Sequence, residues 1–341
     1  MIETAPYAAS SSGEGTRYLL TPRPNPKKLS IVIPIYNEQA AITFLRSSIL
    51  QFCSELRGTD VEIVAVNDGS SDLTIEFLQD WAFEDNRLRV VNLSRNFGHQ
   101  VAATAGLDYA TGDAVVLMDA DLQDPFSAVH DMIARYREGY DVAYGLRVTR
   151  AGESRFKLAT AWIFYRLMRV LVYEGLHADV GDFRLISREC LDSLRRLRET
   201  HRFLRGMATW VGYPQIAVPY KREQRIAGET KYPITKMLRL AWTAATSFSA
   251  LPLKLSLYIG VVLAFISFEE LIRALAGYFT QHVVPGWASL MVAVTGIGGM
   301  LLSCIGILGE YVGKIYEEGK HRPLYLVASV LNSPESRDVS R

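Results

Sequence analysis

The sequence predicts an α/β fold, a mostly parallel sheet alternating with helices, followed by interfacial helices and a C-terminal hairpin of two apolar helices. Three observations carry that expectation. Short β-branched runs recur at roughly 25–30-residue spacing with helical periodicity between them, the signature of βαβ units. The runs are almost continuously apolar, as strands covered on both faces are. The long uncharged stretches are confined to the last third of the chain. The composition agrees. A chain of 341 residues with net charge +1, 49% hydrophobic and 21% charged residues is neither disordered, collagen-like nor a disulfide-stapled miniprotein. Near-zero net charge gives no footprint for nucleic acid, and no such partner is expected. The cysteines Cys53, Cys190 and Cys304 lie far apart without C-x-x-C pairing, so zinc and disulfide readings are weak and a reducing compartment is the default.

Residues 1–28 contain Ser10-Ser11-Ser12-Gly13 and prolines at 6, 22, 24 and 26, with no signal-peptide apolar region. They read as a mobile arm that stays in the cytoplasm. An α/β domain over 29–232 follows. Its strands are expected at Leu29–Pro34, Val61–Val66, Arg89–Leu93, Asp113–Met118 and Asp141–Tyr144. Its helices are expected at Glu38–Glu55, Asp72–Trp81, Gly98–Ala110 and Pro125–Arg137. Residues 151–240 are richer in arginine, with apolar residues at helical spacing. Within them Phe156–Val172 suits an ordinary packing helix or a helix lying on a membrane surface.

The last third decides the compartment. Val283–Gly309 carries no charge and is long enough to span a bilayer. Leu255–Phe268 is uncharged but too short alone, and it spans only by continuing to Phe279 past Glu269, Glu270 and Arg273. Glu269 and Arg273 are four apart and can pair on one helix face. Charges inside a membrane normally face protein, which suggests contact between subunits in a homo-oligomer. Gly309-x-x-x-Gly313 adds a small-residue face. The expected organisation is an interfacial helix over 233–254, two transmembrane helices over 255–313 and a cytoplasmic tail over 314–341. Lys231, Lys236, Arg239 and Lys254 precede the hairpin, and Lys314, Lys320 and Arg322 follow it. By the positive-inside rule the α/β domain and both termini are expected to be cytoplasmic, with Tyr278 and Trp287 at the far interface.

The strongest chemical constellation is Met118-Asp119-Ala120-Asp121-Leu122-Gln123-Asp124, at the end of the fourth strand. Carboxyl ends of strands are where open α/β sheets bind ligands. Asp119 and Asp121 flank one residue and can reach one side of Mg²⁺ or Mn²⁺, hard cations that share their shell with substrate phosphates. The plain alternative is a polar turn in which Asp124 caps the helix opening at Pro125. Two further loops leave the same sheet edge. Ile33-Pro34-Ile35-Tyr36-Asn37-Glu38 offers a tyrosine to stack on a base, and Asn37 or Glu38 to cap the next helix. Asn67-Asp68-Gly69-Ser70-Ser71-Asp72 reads as a turn and N-cap. No G-x-G-x-x-G follows a strand, which argues against a dinucleotide site.

These loops, with Ser94-Arg95-Asn96-Phe97-Gly98, Tyr144-Gly145-Leu146-Arg147 and Gly181-Asp182-Phe183-Arg184-Leu185, occur in the order found in family 2 glycosyltransferases. Arg202-Phe203-Leu204-Arg205-Gly206, Gly228-Glu229-Thr230-Lys231-Tyr232 and the hairpin narrow the resemblance. Over roughly residues 29–325 the chain looks like a polyprenyl-phosphate glycosyltransferase, the group of dolichyl-phosphate mannose synthase and the bactoprenol glucosyltransferases. The resemblance implies a GT-A fold and inverting transfer of one hexose from a nucleotide-sugar to a polyprenyl phosphate. Glu310, Tyr311 and Arg322-Pro323-Leu324-Tyr325 look most like the bacterial branch. That implies UDP-glucose, undecaprenyl phosphate and a bacterial inner-membrane location, with GDP-mannose and a dolichol-type acceptor as the alternative.

Carried over by position, Pro34, Tyr36, Glu38 and Asp68 would line the nucleotide pocket together with Ala120. Asp119, Asp121 and Gln123 would hold the cation on the diphosphate. Arg147, Arg225 and Lys231 would meet the lipid phosphate and the donor phosphates. Asp182 would lie near the sugar, as a base or as a positioning group. A phosphate monoester has a second pKa near 6 and is already an anionic nucleophile at neutral pH, so a dedicated base is not required. The chain departs from the family pattern at Asn67, where relatives often carry Asp, at His99, where Lys is common, and at Glu269-Glu270. A processive synthase is disfavoured because no Q-x-x-R-W motif is present. A rival of another class is an inactive nucleotide-sugar-binding membrane scaffold, against which the intact Asp119, Asp121 and Arg147 speak.

Overall fold

The computed structural model describes residues 20–148, 180–221, 251–279 and 286–332. The strands are β1 (Lys28–Ile35), β2 (Asp60–Asn67), β3 (Leu88–Leu93), β4 (Ala114–Leu117), β5 (Val142–Arg147), β6 (Val180–Ser187), β7 (Gln215–Tyr220) and β8 (Val327–Leu331). The helices are α1 (Gln39–Glu55), α2 (Thr74–Glu84), α3 (His99–Tyr109), α4 (Phe126–Arg137), α5 (Arg188–Arg196), α6 (Leu204–Trp210), α7 (Leu251–Phe279) and α8 (Trp287–Gly319). The eight strands among the described residues join one sheet in the order β7-β5-β6-β4-β1-β2-β3-β8. The runs expected as strands are β1–β5, and the four expected helices are α1–α4, each within a few residues of its expected bounds.

Alternation along the strands builds a core on each face of the sheet. Leu29, Ile31 and Ile33 face the layer of α1, α2 and α4, which contributes Leu45, Phe52, Trp81 and Met132. Val32, Val64 and Val66 face α3, α5 and α6. Helix α3 lies close to the sheet because Gly106 faces it. A β-carbon there would sit 2.3 Å from Val32 Cγ1.

The chain steps from β1 to β2 and β3 in one direction, whereas β4 lies on the other side of β1. The crevice beyond the carboxyl ends of β1 and β4 is therefore the switch point at which open sheets receive ligands. Strands β1–β4 are parallel, but β6 runs antiparallel to β4 and β5. Helical spacing in 151–240 hid β6 and β7. Strand β6 contains Asp182 and Arg184, both buried, so it lacks the nearly continuous apolar run that announces the other buried strands.

Two expected boundaries change. The arm over 1–28 is anchored from residue 20 onward: Arg23 donates to Gly139 O at 2.8 Å, pairs with Asp141 at 3.0 Å and lies over the Tyr136 ring. The expected tail over 314–341 contributes the last turns of α8 and then β8, which pairs antiparallel with β3.

Helices α7 and α8 pack on each other, and Cys304 Sγ lies 3.7 Å from Ser256 O. Among the described residues, one helical segment, Gly296–Gly319, is long and apolar enough to cross a membrane by length and composition. The C-terminal end of α8 and the residues after it are tied to the α/β domain. Glu318 accepts from Thr200 N–H at 2.9 Å, Glu317 lies 2.9 Å from His201, and Tyr325 donates to Asp108 at 2.9 Å. Phe156–Val172, the interfacial segment before Leu251, and the side chain of Arg273 lie outside what is described.

Candidate active site

The β1 and β2 loops are stitched together at the switch point. Asn37 adopts a left-handed φ of 54°, its N–H donates to Ser70 Oγ at 3.0 Å, and its side-chain oxygen accepts from Ser71 N–H at 2.8 Å. Neither Asn37 nor Glu38 caps α1 with its side chain: Glu38 is the N-cap residue, and its N–H donates to Thr74 Oγ1 at 3.0 Å. Asp72 accepts from Thr74 N–H but stands one residue before the α2 N-cap, Leu73. Pro34 is buried in β1, while Tyr36, just beyond the strand, is 47% exposed.

Asp68 is buried, and both its oxygens accept backbone N–H groups, from Phe97 at 2.7 Å and Gly98 at 2.9 Å. Burial raises its pKa above the ordinary value despite those bonds. Asp68 therefore shapes the 95–98 turn that opens α3. Asn67 supports the same loop, donating to Asn92 at 2.7 Å and accepting from Ser70 N–H at 3.2 Å.

The Asp119–Asp124 loop leaves β4 with Leu122 at φ 56°, strained for a branched residue and held by its burial in the core. Asp121 is nearly buried and accepts from Gln123 N–H at 3.2 Å. Ala120 is buried, Asp119 is a third exposed, and Gln123 is half-buried. Burial and the neighbouring carboxylates Asp182 and Asp121 raise the Asp119 pKa against the pull of His99. Asp124 does not cap α4, whose N-cap is Pro125 without a side-chain bond. Instead it accepts from Tyr220 Oη at 2.6 Å, and its burial pushes its pKa up to about 6.

The β4–β6 register pairs Leu117 with Arg184, and continuing it by two residues sets Asp182 beside Asp119. Asp182 is buried and saturated with donors. Arg205 reaches it from Nε at 2.8 Å and Nη2 at 3.2 Å, Gln100 from Nε2 at 2.9 Å, and His99 Nε2 lies 3.4 Å away. Burial alone would raise its pKa, but the His99 hydrogen bond and the Arg205 charge hold it well below the usual carboxylate range. His99 also lies 3.5 Å from Asp119; against burial, the two carboxylates raise its pKa. Arg184 is fully buried behind the turn, donating to the carbonyls of Asp182 and Gly181, and burial lowers its pKa to about 10.

Arg147, the last residue of β5, donates from Nε to Tyr220 Oη at 3.3 Å. Asp119, Asp121, Asp182 and Arg147 are thus brought to one sheet edge, with Tyr36 and Glu38 on the neighbouring loop. Arg225 and Lys231 lie outside the described residues. His99, Gln100, Arg205 and Tyr220 form the remainder of the site; the sequence marks His99 only as a departure from the family pattern, and it assigns no role to the other three. Arg205 lay within a quoted motif, but only the fold shows which carboxylate it meets.

Among the described residues no group of three or more His, Cys, Asp or Glu side chains is set to hold a metal by itself. Asp119 and Asp121 supply two carboxylates of hard oxygen, with Gln123 beside them. That donor set fits Mg²⁺ or Mn²⁺, which protein holds through one or two carboxylates while substrate phosphates and water complete the shell.

The model of the family described as "Glycosyl transferase family 2" matches residues 30–195. A relative named as an uncharacterized glycosyltransferase, YkcC of Bacillus subtilis (strain 168), is 44% identical over 87% of this chain and 92% of its own. The bactoprenol glucosyl transferase of Shigella phage SfV is 40% identical over 88% of this chain and 98% of its own. The prophage bactoprenol glucosyl transferase homolog of Escherichia coli (strain K12) is 38% identical over 89% and 99%. A mannosyltransferase structure from Pyrobaculum calidifontis in complex with GDP-Man and Mn²⁺ covers 86% of this chain and 90% of its own, at 17% identity and a TM-score of 0.41. Identity of this degree over nearly the full length of the relatives, on a mostly parallel sheet with its carboxylates at the switch point, makes the chain a GT-A glycosyltransferase of family 2.

Proposed function

We propose that the chain transfers one glucosyl group, with inversion, from UDP-glucose to undecaprenyl phosphate at the cytoplasmic leaflet of a bacterial inner membrane. The observation that carries this reading is the convergence of Asp119, Asp121, Arg147 and the Asp182–Arg205 pair at the switch point of a sheet tied, through β8, to an apolar helix. The relatives named bactoprenol glucosyl transferase support the sugar and the lipid. The two apolar helices suit a hairpin anchor that brings a cytosolic donor to a lipid head group.

Each residue then has a task. Tyr36 stacks on the nucleotide base, with Pro34, Glu38, Asp68 and Ala120 forming the pocket behind it. Asp119, Asp121 and Gln123 would hold Mg²⁺ or Mn²⁺, which supplies positive charge at the departing diphosphate. Arg147, with Arg225 and Lys231 from the neighbouring segment, meets phosphate oxygens. The acceptor phosphate oxygen attacks the anomeric carbon as the bond from that carbon to the diphosphate oxygen breaks, and the electron pair leaves with UDP. Above its second pKa of about 6 the acceptor carries no proton on the attacking oxygen, so none needs removal. Asp182 is ionised but surrounded by donors, and it positions rather than abstracts.

The test is a transfer assay on the full chain in detergent with undecaprenyl phosphate and Mg²⁺, offering labelled UDP-glucose and GDP-mannose in parallel. Labelled lipid from UDP-glucose alone, abolished by EDTA and by Asp119→Ala, is expected. Labelled lipid from GDP-mannose alone would replace the donor, and UDP release without labelled lipid would replace the acceptor.

A further inference from the structure

Arg147 and Tyr220 are register partners at the last step of the parallel β5–β7 pairing, and Val148 N–H donates to Tyr220 O at 3.0 Å. The two strand ends are therefore fixed relative to each other before any side chain acts. The Tyr220 ring is itself immobilised. It meets Phe183 edge-on at 5.4 Å and 76°, and it fills the space over Gly145, where a β-carbon would lie 2.7 Å from Tyr220 Cε1. Its hydroxyl hydrogen goes to Asp124 Oδ1 at 2.6 Å. With its one proton committed there, the Tyr220 oxygen faces Arg147 Nε as an acceptor. The guanidinium also lies close to Gly181. A β-carbon built on Gly181 would be 3.0 Å from Arg147 Nη2 and 3.6 Å from its Cζ.

We propose that Tyr220 and Gly181 are positioning residues that hold the Arg147 guanidinium and aim it at a phosphate oxygen of the reacting substrates. Tyr220 fixes the guanidinium by a hydrogen bond, and Gly181 fixes it by leaving room. A planar guanidinium delivers paired hydrogen bonds only in the right orientation, so a few tenths of an ångström at Gly181 or a lost bond at Tyr220 matters. The inference rests on the reading above that Arg147 meets phosphate. The phosphate belongs to the lipid acceptor or to the nucleotide diphosphate, and kinetics separate the two.

The experiment measures KM for undecaprenyl phosphate and for UDP-glucose separately, with kcat and Tm, in Tyr220→Phe, Gly181→Ala, Arg147→Lys and the two combinations with Arg147→Lys. Tyr220→Phe and Gly181→Ala are each expected to raise one and the same KM by about tenfold, the value of one hydrogen bond to a charged group. A rise for the lipid assigns the acceptor phosphate, and a rise for the nucleotide-sugar assigns the diphosphate. Tyr220→Phe leaves a buried carboxylate without its donor and costs stability, but Gly181→Ala meets only the tip of a flexible side chain and keeps Tm unchanged. Lysine has no Nε, so on the Arg147→Lys background neither change adds to the KM effect. Effects that persist undiminished on that background overturn the inference, as does a raised KM in Arg147→Lys with no rise in Tyr220→Phe or Gly181→Ala. If Arg147→Lys leaves both KM values unchanged, the phosphate reading of Arg147 fails, and the inference built on it fails too.

Discussion

Arg205 grips Asp182 with both prongs of its guanidinium, Nε to Oδ1 at 2.8 Å and Nη2 to Oδ2 at 3.2 Å. The same carboxylate accepts from Gln100, whose side-chain oxygen accepts Leu204 N–H at 3.0 Å. One amide thus joins the first turn of α3, the start of β6 and the start of α6. A carboxylate so saturated is a fixed anionic anchor.

Asp182→Asn is expected to lower kcat by at least about a hundredfold, the cost of misplacing catalytic groups by about 1 Å. Loss of the pair costs about 1–2 kcal/mol of stability, less than a fully buried pair because Arg205 is 39% exposed. The Asp182 pKa is depressed, so its contribution to stability is present above the unfolded value of about 3.9 and is lost as pH falls below it. Thermal melts should show a gap between wild type and Asp182→Asn that is widest in mild acid, narrows above neutrality as His99 loses its proton, and closes in stronger acid.

His99 titrates in the opposite sense. Its pKa is raised, so the stability it contributes is complete below the unfolded value of about 6.5 and disappears as pH rises through the higher folded value. In EDTA, the Tm difference between wild type and His99→Gln should be largest in mild acid and shrink above neutrality. A difference that grows toward alkaline pH contradicts the Asp119–His99–Asp182 bridge.

Gly69 has a φ of 65°, and a β-carbon there would lie 2.4 Å from the carbonyl carbon of Arg95, a backbone atom that cannot swing aside. Gly69→Ala should destabilise the chain by about 3 kcal/mol through strain and clash. It pushes on the turn that Asp68 holds, so the dissociation constant for UDP should rise as well, measurable by calorimetry.

Strand β8 covers the β3 edge, and Asn332 seals its end by donating to Ala82 O at 2.7 Å and Leu88 O at 2.9 Å. Truncation after Lys320 removes this strand and the Tyr325–Asp108 bond. Stability should fall by about 2 kcal/mol from the partly buried Val327, Val330 and Leu331. Limited proteolysis should then cut the exposed β3 edge faster than in the full chain.

The sequence by itself determined the α/β class, the strands β1–β5, their helices and the Asp119–Asp121 pair. Those features are local: apolar runs, helical periodicity and a carboxylate pair just beyond a strand are visible within a dozen residues. The family resemblance added Arg147 and Asp182 as candidates. Only the tertiary structure decided that Asp182 is an anchored carboxylate, that Asp124 serves Tyr220 rather than α4, and that the C-terminal segment returns as a strand. The physical reason is the same each time. A buried charge inside a strand is stable only with a counter-charge supplied from far along the chain, as Arg205 is for Asp182. An edge strand such as β8 acquires its meaning from the partner it covers, and neither partner is written in the residues beside it.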